Sequence, residues 1–98
     1  MRNIAFCVDE ADRVSSLESA VLVRVYERCR DTWLVVREFA LLPDLGSVVG
    51  ALDDCFALVC GELGEADEWL ERSGVWVWEL RGDPEELAEV VWRENLAA

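Results

Sequence analysis

Ninety-eight residues are enough for one domain, spanning 1–98, with a modest core. Hydrophobic residues at 53% and charged residues at 31% are the balance of a globular chain, which excludes a disordered one. Twenty-one acids against nine arginines give a net charge of −12, which opposes nucleic acid and anionic membranes, since both are bound by neutralising phosphates with basic side chains.

The charge is uneven. Residues 1–43 carry six arginines and seven acids, whereas residues 44–98 carry three arginines and fourteen acids. The second half reads either as solvated acidic helix faces or as a docking face for a basic partner. The chain has no histidine and no lysine, so Ser-His-Asp, Cys-His and Schiff-base chemistry are all excluded and enzymatic activity is not expected. The apolar run Ile4 to Val8 is too short for a signal-peptide core, and no run approaches the roughly 20 residues of a membrane span. A cytoplasmic location is the expectation.

Asn3 to Val8 is almost wholly apolar, which suits a central strand buried on both faces. Residues 10–19 lack a period and read as a loop with Val14 and Leu17 as apolar anchors. Ala20 to Glu27 alternates, with Val21, Val23 and Val25 on one face and Leu22, Arg24 and Tyr26 on the other. After the polar stretch Arg28 to Asp31, Trp33, Val35 and Arg37 oppose Leu34, Val36 and Glu38. Two such runs make a hairpin, and the arginine implies that this end of the sheet is partly exposed.

Pro43 ends that pattern. Leu45, Val48, Val49 and Leu52 then form one stripe of an amphipathic helix, with Asp44 able to cap it. Cys55 to Cys60 is the second short apolar run. Helical spacing returns at Ala66, Trp69 and Leu70 and stops at Gly74, and Val75 to Leu80 follows as a strand. Asp83-Pro84-Glu85-Glu86 signals a helix start, with Asp83 as N-cap and Leu87, Val90 and Val91 as the buried stripe.

The order is therefore β-β-β-α-β-α-β-α. Strands joined through a helix run parallel, and the two most apolar runs belong side by side at the centre. The expectation is an α/β fold whose five-stranded mixed sheet has the order 3-2-1-4-5, a ribonuclease-H-like layout with helices packed on the sheet.

In such a sheet the crevice lies beyond the carboxyl ends of the parallel strands. Asp9, Cys60 and Glu62 are the residues best placed there for a ligand. Two carboxylates fall short of the three or four that a nuclease-type Mg²⁺ site needs, and the acidic surface opposes a polyanion. Gly61-Glu62-Leu63-Gly64 reads as a tight strand-to-helix turn rather than an anion cradle, because Glu62, Glu65 and Asp67 already supply negative charge. The four cysteines contain no C-x-x-C pair and have no histidine to complete a zinc set. Cys7 and Cys60 fall on adjacent central strands, either as small apolar core residues or as thiolate ligands for iron or an iron–sulfur species. Trp69, Trp76, Trp78 and Trp92 read mainly as core, with the Trp76–Trp78 edge strand left as a surface for a partner or a second copy.

The opening Asn3-Ile4-Ala5-Phe6-Cys7-Val8-Asp9-Glu10, the Ser16-Leu17-Glu18 loop running on to Val25-Tyr26-Glu27, Leu52-Asp53-Asp54-Cys55, and the stretch Ser73 to Glu86 carry a family resemblance. The chain resembles the AnfO accessory proteins of iron-only nitrogenase and, more broadly, the NifX/NafY family of nitrogenase cofactor-handling domains. The resemblance implies a ribonuclease-H-like fold and a non-catalytic role, binding or carrying an iron–sulfur cofactor or its precursor during nitrogenase assembly. Its partner would be a nitrogenase component or assembly protein. Where NifX-type domains carry a histidine followed by Phe-Gly, this chain has the stretch around Leu17-Glu18-Ser19, and Gly61-Glu62 stands where Gly-Gly is usual. The alternative is a metal-free protein-interaction module of the same fold, acting through its acidic helices or its tryptophan-rich edge.

Overall fold

The computed structural model describes residues 3–40, 52–62 and 74–97. In chain order these form β1 (Asn3–Val8), β2 (Leu22–Cys29), β3 (Thr32–Ala40), β4 (Cys55–Cys60), β5 (Trp76–Glu79) and the helix α1 (Pro84–Ala97). The strands make one sheet of order β3-β2-β1-β4-β5. β2 is antiparallel to both β1 and β3, whereas β4 is parallel to both β1 and β5. The mixed sheet and its order match the sequence reading. The expected helices with stripes Leu45–Leu52 and Ala66–Leu70 lie outside the described residues, apart from Leu52, which is buried in the turn before β4.

Every residue of β1 is buried, as its continuous apolar run requires of a central strand. Its side chains divide between two cores. Ala5 and Cys7 join Val23, Val25, Leu52, Cys55, Leu58 and Cys60 on one face. Ile4, Phe6 and Val8 join Tyr26, Trp33, Ala57 and Val59 on the other, and there α1 closes the layer with Ala88 and Val91.

The helix starts where its signal lies. The Glu86 amide donates to Asp83 Oδ2 at 3.3 Å, the N-cap bond, and Pro84 supplies the first helical position, where no N–H is needed. The buried stripe is rotated from the expected one. Ala88 and Val91 are fully buried and Leu87 partly so, while Val90 is exposed. Val90 stands about 160° round the helix from Ala88, so it faces away from the sheet in a helix that packs through Ala88.

The hairpin also differs in detail. Its turn is two residues, Arg30-Asp31, with Arg30 in the left-handed region at φ 62°, so Arg28 and Cys29 stay in strand β2. Further along, Val35 pairs with Tyr26 but Arg37 pairs with Val25, which leaves Val36 as an inserted residue of a β-bulge. One extra residue reverses the alternation. Arg37 therefore shares the face of Val25 rather than that of Trp33, and its guanidinium reaches Asp54 and Cys55 there.

Candidate functional site

The carboxyl ends of β1, β4 and β5 lie side by side, as the parallel pairing demands. The loop between β1 and β2 runs across all three. Val14 bridges to Val8 and to Gly82, and Ser16 bridges to Glu62. The bonds are backbone to backbone: Val14 N–H to the Gly82 carbonyl at 2.8 Å, Gly82 N–H to Val14 at 3.1 Å, and Leu17 N–H to Glu62 at 2.8 Å. The Gly61 N–H donates to the Ser15 carbonyl at 2.6 Å. The space expected as a crevice is thus crossed by a strap whose polar backbone is paired to the strand ends.

Each expected site residue has a position relative to this strap. Asp9 opens it. Its Oδ1 accepts the N–H groups of Ala11 at 2.8 Å and Arg13 at 3.1 Å, and its own N–H donates to the Arg13 carbonyl at 2.9 Å. These bonds fold the first turn of the loop, where Asp12 takes φ 61°. The amide bond from Arg13 holds the Asp9 carboxyl below the usual aspartate range. Glu62 lies at the other side of the strap, and its Oε2 pairs with Arg81 at 3.2 Å in an exposed ion pair.

Cys7 and Cys60 are brought together. They stand one step beyond the parallel pair Phe6–Val59, on the same face, and both are fully buried. Their side chains share one buried apolar cluster on neighbouring strands. The neighbouring Cys60 thiol, with burial, holds Cys7 well above the usual thiol range, while the Cys7 thiol and nearby backbone N–H groups hold Cys60 down. Cys60 Sγ also lies 3.5 Å from the Ser15 carbonyl and 3.6 Å from that of Glu62, so the strap covers it directly. Cys55 lies at the opposite end of β4, roughly 16 Å away along the strand. Burial and the neighbouring Asp54 carboxylate push its thiol up to about 12. Cys29 ends β2 beside the hairpin turn.

The structure therefore unites Cys7 with Cys60, and sets Asp9 and Glu62 to work in the strap and its flank. Among the described residues no group of three or more histidine, cysteine, aspartate or glutamate side chains is arranged to hold a metal ion. Sequence reasoning marked Val14 and Leu17 as loop anchors but did not locate what they anchor to. Val14 is nearly fully buried, and a lone buried valine among polar residues is the signal that was present.

A second feature lies at the sheet edge. Leu34, Val35 and Val36 of β3 are 50%, 49% and 44% exposed. At the opposite edge Trp76 is 40% exposed, and its ring lies 4.6 Å from that of the partly buried Trp78. No helix among the described residues is long and apolar enough to cross a membrane. Compared with known proteins, the chain matches no family model and no curated protein.

Proposed function

We propose that this chain is a non-catalytic protein-binding domain of ribonuclease-H-like fold, docking through the exposed side of β3. The observation that carries the proposal is the run Leu34-Val35-Val36, three consecutive apolar side chains each about half in water on an edge strand. The Val36 bulge breaks the regular ladder there, which disfavours strand-to-strand addition of a second copy and favours docking by side chains. The NifX/AnfO resemblance supplies the kind of partner, a nitrogenase component or assembly protein. The strap over the strand ends favours this reading over a ligand-carrying crevice, because Asp9 and Glu62 are committed to the Arg13 and Ala11 amides and to Arg81.

The test is direct. The chain is immobilised and the purified components of an iron-only nitrogenase are passed over it, with Leu34→Asp and Val36→Asp alongside. Binding that is lost in both variants supports the proposal, and binding that survives both overturns it.

A second reading, that the chain carries an iron–sulfur cofactor or precursor, is favoured by one observation, the placement of Cys7 and Cys60 in one buried cluster on adjacent strands. Anaerobic reconstitution with iron and sulfide, read by visible absorption and iron content, tests it. Stoichiometric iron that disappears in Cys60→Ala supports this reading, and absence of iron uptake sinks it.

A further inference from the structure

The chain has four cysteines, no histidine, and a strand geometry that lets two thiols meet and keeps the other two away. Cys7 and Cys60 stand opposite each other on neighbouring parallel strands, with their side chains in the same apolar core beside Ala5, Val23 and Leu58. Cys55 is five residues back along β4. Cys29 is six residues beyond Val23, the β2 residue that pairs with Cys7. At about 3.3 Å per residue, neither can reach the pair without unfolding the sheet.

Two sulfurs and no imidazole are fewer than the four ligands of a zinc site or of an iron–sulfur cluster held wholly by one chain, so either would need ligands from outside this pair. Two are the right number for a soft d¹⁰ cation that is content with two thiolates. Thiolate is also the donor that selects monovalent copper over harder ions. We propose that Cys7 and Cys60 form a buried two-thiolate site for Cu(I). In binding, two S–H bonds break, two protons leave to solvent and two S–Cu bonds form, with copper remaining monovalent. The complex carries one negative charge spread over two sulfurs, no more than a single buried thiolate would. Entry requires the strap at Ser15 to lift, since its carbonyl lies 3.5 Å from Cys60 Sγ. The site is independent of docking at β3, so that reading can fail without touching it, whereas iron held by Cys60 would occupy the same thiols and displace the copper.

The test uses the whole reduced chain under anaerobic conditions, titrated into Cu(I) held by a coloured competing chelator. One Cu(I) per chain should be withdrawn, with a near-ultraviolet thiolate-to-copper band. Uptake should be lost in Cys7→Ser and in Cys60→Ser, and kept in the Cys29→Ser/Cys55→Ser double variant. Circular dichroism checks that each variant is folded. X-ray absorption at the copper edge of the unmutated chain counts sulfur neighbours without relying on any variant, and two are expected. Failure to compete with the chelator, uptake that survives loss of either thiol, or a copper environment with other than two sulfurs would each overturn the proposal.

Discussion

The Gly61 amide meets the Ser15 carbonyl at 2.6 Å, and the approach leaves no room for a side chain on Gly61. A Cβ there would lie 2.6 Å from the Ser15 carbonyl carbon and 2.7 Å from its oxygen. Both are backbone atoms, so relief requires the strap itself to move. Gly61→Ala is expected to cost about 2 kcal/mol, as overpacking of a closed contact does. The check is a urea titration in which the midpoint falls while the slope holds. An unchanged midpoint would mean that the strap yields freely.

Glu89 ties α1 to the hairpin. Its Oε1 accepts the Trp33 indole N–H at 2.9 Å and pairs with Arg28, whose guanidinium lies over the rings of Trp33 and Trp92. The Trp33 bond holds the carboxyl below the ordinary glutamate value of 4.5, with burial opposing and Arg28 assisting. A lowered folded-state pKa gives stability that is complete above the unfolded value and lost as pH falls through the folded one. Glu89→Gln is expected to cost about 1 kcal/mol at pH 7, a figure kept small because the side chain is 36% exposed. The gap between variant and parent should narrow below pH 4.5 and close further down. Thermal melts from pH 7 to pH 3 read it, and a gap that widens on acidification contradicts the assignment.

Asp83 caps α1 through the Glu86 amide. Asp83→Ala should lower stability by about 1 kcal/mol, and Asp83→Asn should restore most of it, since the amide oxygen is an equally good acceptor. Equal losses in the two variants would shift the explanation from the cap to charge.

The β3 surface should behave differently. Leu34→Asp and Val36→Asp remove side chains already half in water, so each should cost about 1 kcal/mol, well below the cost of a core substitution. Partner binding should nevertheless disappear. A large loss of stability would identify these residues as core rather than docking surface.

The sheet was legible in the sequence because its strongest signals are local. β1 and β4 are short, apolar and bounded, and Asp83-Pro84 marks a helix start by chemistry confined to four residues. The face assignment of Arg37 was not legible, because strict alternation carries no mark of the residue at which it will slip. Only the pairing of Val35 with Tyr26 and of Arg37 with Val25 reveals the insertion at Val36. The rotated stripe of α1 has a similar cause: Leu87, Val90 and Val91, and Leu87, Ala88 and Val91, both fit a helical period, and only the packing of Ala88 and Val91 on the sheet selects between them. At the candidate site, the meeting of Cys7 and Cys60 follows once β1 and β4 are neighbours. The strap does not follow, since it depends on backbone bonds to residues distant in the chain, and such bonds leave little imprint on side-chain identity.

The strap also has a place in time. Val14 cannot find Gly82, nor Ser15 find Gly61, until β4 and β5 have joined the sheet, so these contacts close loops spanning much of the chain and belong among the last to form. On the way out they should be among the first to open. The amides of Val14 and Leu17 should exchange with deuterium by a local opening well before those at the centre of β1, even though Val14 is buried almost as deeply. The expected outcome is a strap that lifts from the strand ends while the sheet beneath stays folded.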